Sequence, residues 1–477
     1  MAETPIDPDL YSATVDAIAE AQERIDALLD EGRPMPKGHK VGSISSCASG
    51  LPKIDTPLSD NYVDYSHVFG LQGGGYYPVG YDELPKLQVL FEVARSIPRI
   101  REHTFLDNPK MRDERFFQID IANLAHDTLD RLLHTVGRDY SADDLLNTYC
   151  ELERGLLWEK APVELYVPLA ITKVSSNDVV PLGPNVRIER MTDDLSLARM
   201  PEYEYAMTAH PRVLQAARHA IVISNLVLDN QSRYVLFTQN EEFYPRERIE
   251  QALEALRAAA GVDTGYAQIF MRPLGWAWDF RAHLPPVVTG ASTRRYPDIF
   301  DRQWWDREDL AIIEPAQLDT AASIFQALET KPRRLGLAAS RLSAAMLRED
   351  EADSILDLCI GLEALLGDES PGDTTYKLGL RTAAVMALAE DPSDPAVAVR
   401  DIKRIYSYRS AIAHGREPGK TKTLTTGQSS RPTGDAAREY LASAIRLLAS
   451  QPELAEDPQA LDQTLILSRL KAASKRT

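Results

Sequence analysis

The chain has 477 residues, of which 44% are hydrophobic and 26% charged, and a formal net charge of -18. This is the composition of a globular protein of two or three domains, and the acidity argues against a general polyanion-binding surface while leaving room for a local one. Three distant cysteines (Cys47, Cys150, Cys359) form no disulfide scaffold, no run of ~18 apolar residues spans a membrane, and MAETPIDPDL lacks the order of a signal peptide, so a cytoplasmic protein with reduced thiols is expected.

Val15, Ile18, Ala21, Ile25 and Leu28 place a helix over Leu10 to Leu29, stopped at Gly32. Residues 38–83 read as a long irregular segment concealing short strands, with Gly73 to Gly75 as a turn lacking the G-K-[ST] of a phosphate loop. Helices resume over Leu84 to Arg101, Phe116 to Val136 and Ala142 to Trp158. β-Branched residues then mark strands at Val163 to Val174, Asn185 to Arg190, Ala220 to Leu228, Arg233 to Thr238 and Ala267 to Arg272. One helix, Pro245 to Ala260, interrupts them and is closed by Gly261. His283 to Trp305, with three prolines and the Trp304–Trp305 pair, reads as a linker or cap. The acidic run Asp306, Glu308, Asp309 reads as a helix start or a solvated loop.

From Asp319 onward everything reads as helix: 319–329, 333–348, 351–366, 376–389, 397–414 and 434–450, with a polar, mobile-looking stretch at Lys420 to Gly434. The expected fold class is α+β: residues 1–160 mainly helical, 161–318 strand-rich α+β, and 319–477 an all-α bundle with a tail. The last region holds 21 Lys/Arg against 22 Asp/Glu, so almost all the acidity precedes it. Its basic clusters are Lys331, Arg333 and Arg334; Arg400, Lys403, Arg404, Arg409 and Arg416; and Lys471, Lys475 and Arg476. Any nucleic-acid contact belongs there.

The helix ending at His414 carries Ile402, Ile405 and Ile412 on one stripe, and Arg409 falls on that stripe. A guanidinium so placed is costly unless paired. Ser410 neighbours His414 at i, i+4, and Gly415 suits a left-handed cap. Arg409 and His414 are about 140° apart on an ideal helix. Either the arginine wraps round, the last turn is distorted, or the two act across a dimer.

Arg409-Ser-Ala-Ile-Ala-His414, preceded by CIGLEALLGD (Cys359 to Asp368) and YKLGLRTAAVM (Tyr376 to Met386), resembles the Apea-like group of the HEPN superfamily over roughly residues 320–450. The resemblance implies a helical domain with metal-independent endoribonuclease activity, in bacterial anti-phage defence, abortive infection or toxin systems. It implies His414 as general acid/base, Arg409 as phosphate clamp, Ser410 as an orienting hydroxyl, and a homodimer bringing two motifs together. RNA, with tRNA as one target class, is the implied substrate, and the N-terminal region is assigned to sensing a phage or host protein trigger or to restraining the nuclease. The alternative is a non-catalytic dimerisation or nucleotide/RNA-binding module. Glu363 either pairs with Arg409 or Arg381 or is a plain surface carboxylate. Arg381 matches a recurrent basic position of the group or makes a structural ion pair. Tyr406 and Tyr408 flank the motif; Tyr406 reads as core, and Tyr408 as a ring that can stack a base.

The other histidines are His39, His67, His103, His126, His134, His210, His219 and His283. None is spaced H-x3-H or set beside cysteines, so neither metal nor cofactor is expected.

Overall fold

The computed structural model describes every residue except 1–2, 33–34, 36, 66–83, 107–113, 201–207, 233–243, 331, 369–373, 390–394, 418, 427–428, 458–461 and 464–477. The expected turn at Gly73 to Gly75, the strand at Arg233 to Thr238, His67, Lys331 and the basic tail lie outside the described residues.

The first third is built on α1 (Pro8–Asp30), followed by β1 (Lys37–His39), β2 (Ser43–Ser46), β3 (Pro52–Asp55) and β4 (Tyr62–Val63). Then come α2 (Pro85–Ser96), α3 (Pro98–His103), α4 (Glu114–Thr135) and α5 (Ala142–Leu157). Asp7 caps α1, accepting from the Asp9 and Leu10 amides, and Ser141 and Asp144 form a capping box on α5. The single helix expected over 84–101 is two, because Pro98 has no N–H to continue α2. The apolar stripes of α1, α2, α4 and α5 enclose one core, in which Ile18, Leu90, Ile121 and Tyr149 are buried. The strands expected inside the irregular segment exist: β1 pairs with β4 and β2 with β3, both antiparallel.

The middle third contributes β5 (Lys160–Ala170), β6 (Lys173–Val174), β7 (Val180–Gly183), β8 (Val186–Arg190), α6 (Asp193–Ala198), α7 (Pro211–Gln215), β9 (His219–Asp229), α8 (Arg246–Ala260), β10 (Gly265–Pro273), β11 (Val288–Arg295) and β12 (Ile312–Ile313). Six strands form an antiparallel sheet in the order β11-β10-β5-β9-β8-β7. The segment 283–305, expected as a linker or cap, therefore supplies an edge strand. Its prolines at 285, 286 and 297 bracket β11 and leave its backbone free to pair with β10. The acidic run at 306–309 is a surface turn, where Arg307 pairs with Asp309.

The last third holds α9 (Pro315–Glu329), α10 (Arg333–Leu347), α11 (Glu351–Leu366), α12 (Thr374–Leu388), α13 (Pro395–Ala413), β13 (Thr423–Thr426), β14 (Ser429–Pro432), α14 (Thr433–Ala449) and α15 (Pro452–Glu456). The region, expected to be all helix, is not, because β13 and β14 make an antiparallel hairpin within the stretch read as mobile. Thr423, Thr425 and Thr426 favour extended backbone, and Leu424, only 2% exposed, anchors the hairpin to the bundle. One apolar core runs without a break from the sheet (Leu165, Ile221, Ile269) through α8 and α9 into the bundle (Leu362, Ile405, Leu441). Arg446 on α14 also donates to the Ala258 carbonyl of α8 at 2.9 Å. The fold is thus α+β, with α13 held on the bundle by Ile402, Ile405 and Tyr408.

Candidate functional site at the end of α13

Ala398, Ile402 and Ile405 are buried, which fixes the inward face of α13 and leaves the opposite face to solvent. The helix closes as expected. Gly415 adopts φ +64°, its amide meets the Ile412 carbonyl at 2.9 Å, and the Arg416 amide meets the Ala411 carbonyl at 2.7 Å. This is a Schellman closure, which only a residue tolerant of left-handed backbone makes without strain.

The closure keeps the final turn regular and presents His414 to solvent. At about 100° per residue, Lys403 and Ser407 lie within about 20° of His414 around the helix, and Arg400 and Ser410 within about 40°. All five are exposed. Arg400, Lys403 and Arg404 form no ion pair among the described residues, and neither does Arg416 just beyond the cap. The outcome is a cationic strip ending in an imidazole.

Arg409 lies elsewhere. Its guanidinium stands 3.9 Å from Glu363 on α11, with the two side chains 39% and 34% exposed. Of the partners considered for Glu363, the structure brings it to Arg409. Cys359 and Tyr406 complete this neighbourhood. Burial, with the Glu363 charge adding to it and Arg409 opposing it, pushes the Cys359 thiol up to about 12. Burial, then Cys359 and Glu363, push the Tyr406 hydroxyl far above its ordinary range. Neither group supplies a ready proton carrier near neutral pH.

Tyr408 is only 2% exposed, so its ring offers no face to a base; burial and the Glu351 carboxylate push its hydroxyl up to about 12. Arg381 is 1% exposed and fully committed. It donates to the Leu366 carbonyl at 2.7 Å, to Asp368 at 2.7 Å and to both oxygens of Asp462. That is the structural ion pair, and it ties the chain after α15 to the end of α11. Arg334 likewise donates to the Ala364 carbonyl at 2.7 Å and to the Gly367 carbonyl, neutralising the carbonyl end of α11. The site residues thus divide: Ser410 and His414 share the open strip, Arg409 and Glu363 form a pair round the side, and Tyr408 and Arg381 belong to the interior.

One cluster escaped the spacing test. His39, Asp130 and His134 each place a ligating atom within 4.8 Å of the others. Helix α4 reads His126-x3-Asp130-x3-His134, so a search for histidine pairs alone passes over it, and His39 comes from a strand some ninety residues away. The three cysteines form no disulfide, as expected. Among the described residues no helix is long and apolar enough to cross a membrane.

The chain matches no family model, and no curated protein or solved structure matches it.

Proposed function

We propose that this protein is a metal-independent endoribonuclease of the HEPN type. In this reading it works in the cytoplasm as the effector of a bacterial defence or toxin-type system. The observation that carries the reading is His414, exposed at the tip of α13 and aligned with Arg400 and Lys403, which have no ion-pair partner among the described residues, in a chain of net charge -18. Cleavage proceeds by attack of a ribose 2′-hydroxyl on the adjacent phosphorus. The O2′–P bond forms as the P–O5′ bond breaks, giving a cyclic phosphate and a 5′-hydroxyl end. One group must take the 2′ proton and another must protonate the departing oxygen, while cations steady the charged transition state. Imidazole serves either proton transfer near neutral pH. His414 of each protomer fills one of these roles when the bundles dimerise, with the α13 strip and Arg409 holding phosphates. The acidic region before residue 319 responds to a phage or host protein and does not itself bind RNA, among which tRNA is the first target to examine.

The pairing of Arg409 with Glu363, away from His414, favours a second reading: a non-catalytic RNA-binding or dimerisation module on the same strip. Sequencing RNA ends in cells expressing the wild type or His414→Ala separates the two. New 5′-hydroxyl ends that vanish in the variant establish the nuclease. Identical ends, with equal growth, leave the binding module.

A further inference from the structure

Three separate stretches of the N-terminal third converge on one point. His39 ends β1, Asp64 follows β4, and Asp130 and His134 sit one turn apart on α4. The His39 Nε2 lies 2.9 Å from Asp130 Oδ2 and 3.8 Å from Asp64 Oδ1, and the His134 Nε2 lies 3.6 Å from Asp130 Oδ1. We propose that His39, Asp130 and His134, with Asp64 as fourth donor, form a binding site for a divalent first-row transition metal, zinc being the best match.

The distances fit such an ion. Zinc binds imidazole nitrogen at about 2.0–2.1 Å and carboxylate oxygen at about 2.0–2.2 Å, so tetrahedral donors stand roughly 3.3–3.5 Å apart. The separations of 2.9, 3.6 and 3.8 Å straddle that edge length, and a small closing movement makes them equal. The donor set fits as well. Two imidazoles with two carboxylates suit zinc and its neighbours, whereas magnesium and calcium prefer all-oxygen shells.

Charge and burial point the same way. The Asp130 side chain is 3% exposed and that of Asp64 5%, with His39 and His134 at 13% and 12%. Among the described residues the side chains paired with Asp130 are the two imidazoles, while Arg131, whose charge reaches it, is bonded instead to the Ala282 and Leu284 carbonyls. Burying an ionised carboxylate costs several kcal/mol unless positive charge meets it, and a dication at this point meets both carboxylates at once. The surroundings also fix the donors in place. The Tyr65 amide donates to Asp130 Oδ1 at 2.8 Å, an outer-shell bond of the kind that orients a ligating carboxylate. Gly38 lets Asp64 close on β1, since a Cβ there would stand 2.6 Å from the Asp64 Cβ. The His134 Nε2 also faces the Val63 carbonyl at 2.9 Å. Metal capture uses the Nε2 lone pair, so any proton held there is released on binding.

The bound ion clamps the β1–β4 ladder onto α4, and it takes no part in the chemistry assigned to α13. This inference therefore stands or falls separately from the ribonuclease reading. The test uses the full-length protein, exposed to equimolar zinc, dialysed, and assayed by elemental analysis. The expected result is one zinc per chain, a melting temperature that drops several degrees with a chelator and recovers with zinc, and full zinc retention in His414→Ala. His39→Gln and His134→Gln are expected to lose the zinc and the chelator response; glutamine at 134 can still donate to the Val63 carbonyl. Less than a tenth of an equivalent in the wild type, or equal zinc in the variants, overturns the site. So does retention of magnesium or calcium in preference to zinc. If the variants fail to fold, the zinc content and chelator response of the wild type decide alone.

Discussion

Arg409 reaches across to Glu363, 3.9 Å away on α11, and not along its own helix to His414. The regular last turn of α13 and the Gly415 closure leave no distortion to bring the two together, so convergence requires two protomers. On the ribonuclease reading the shared cleft then joins Arg409 and His414 from both chains, with one histidine for each proton transfer. His414→Ala and Arg409→Ala are each expected to reduce RNA cleavage by ~10²–10⁴-fold. A heterodimer of the wild type with His414→Ala keeps only one of the two histidines, so mixing these proteins is expected to lower cleavage below what the wild-type chains supply alone. Cleavage that only falls in proportion to the wild-type chains present shows that each site works within one chain.

The strip of Arg400, Lys403 and Arg404 makes a separate prediction about affinity. Exposed cations bind phosphate by releasing its counterions, so their contribution appears in the salt dependence. The Arg400→Ala/Lys403→Ala variant is expected to bind single-stranded RNA more weakly, with its log–log salt slope reduced by about 0.7 for each cation removed. Arg381→Ala alters nothing on that face. It breaks the buried bonds to Asp368 and Asp462, so it is expected to lower the melting temperature and leave the salt slope unchanged. RNA titrations at several salt concentrations, read beside thermal melts, distinguish the two effects.

These relationships differ in how far the sequence discloses them. Helices α9 to α14 are legible because each carries an apolar stripe and most end at a glycine or proline; the Ile402–Ile405 stripe and the Gly415 cap were readable directly. Strand β11 was obscured by the prolines around it, although a proline beside a strand only marks its end. The β13–β14 hairpin was obscured by polarity, since Thr423 and Thr425 are hydrophilic yet β-branched. Arg409 could be recognised as needing a partner from its place on a core-facing stripe, but the choice of Glu363 over other carboxylates depends on how α11 packs. The His39, Asp130 and His134 cluster was least legible, because it exists only once β1 folds against α4.

Glu254 on α8 predicts a pH dependence. Burial first, and the Glu250 charge second, push its carboxyl up to about 8, with Arg257 opposing. Glu247 and Arg333 line the same recess between α8 and α10. An unfolded glutamate gives up its proton near 4.5. Between these values the folded chain binds the extra proton, so this group's stabilisation is complete at low pH and is lost as the pH rises towards 8. Glu254→Gln removes that slope. Urea midpoints at about pH 5.5 and pH 8.5 should show the variant gaining on the wild type at the higher value. An identical pH response in both proteins would refute the assignment.

Two glycines in helices forecast opposite outcomes for the same substitution. A Cβ at Gly155 on α5 would stand 1.9 Å from the Ala277 carbonyl oxygen. The oxygen is backbone and a Cβ is fixed by the backbone that bears it, so no side-chain rotation relieves the contact. The contact lies where the N-terminal core, with Ala277 and Phe280, meets the sheet core, with Trp276. The same place is bonded from both directions. The Ala277 amide donates to the Glu151 carbonyl at 2.8 Å, and the Asn230 amide group donates to the Gly155 carbonyl at 2.8 Å. Gly155→Ala must therefore push α5 off the sheet region, and a loss of ~1–3 kcal/mol or more is expected, the cost of overpacking a rigid site. Gly336 on α10 has nothing within 4 Å of its would-be Cβ. There alanine only restricts the unfolded chain and favours the helix, so Gly336→Ala is expected to stabilise by ~0.5–1 kcal/mol. Urea unfolding of the two variants beside the wild type checks both signs, and a Gly155→Ala protein as stable as its parent would show that α5 does not pack against the 274–280 segment as described.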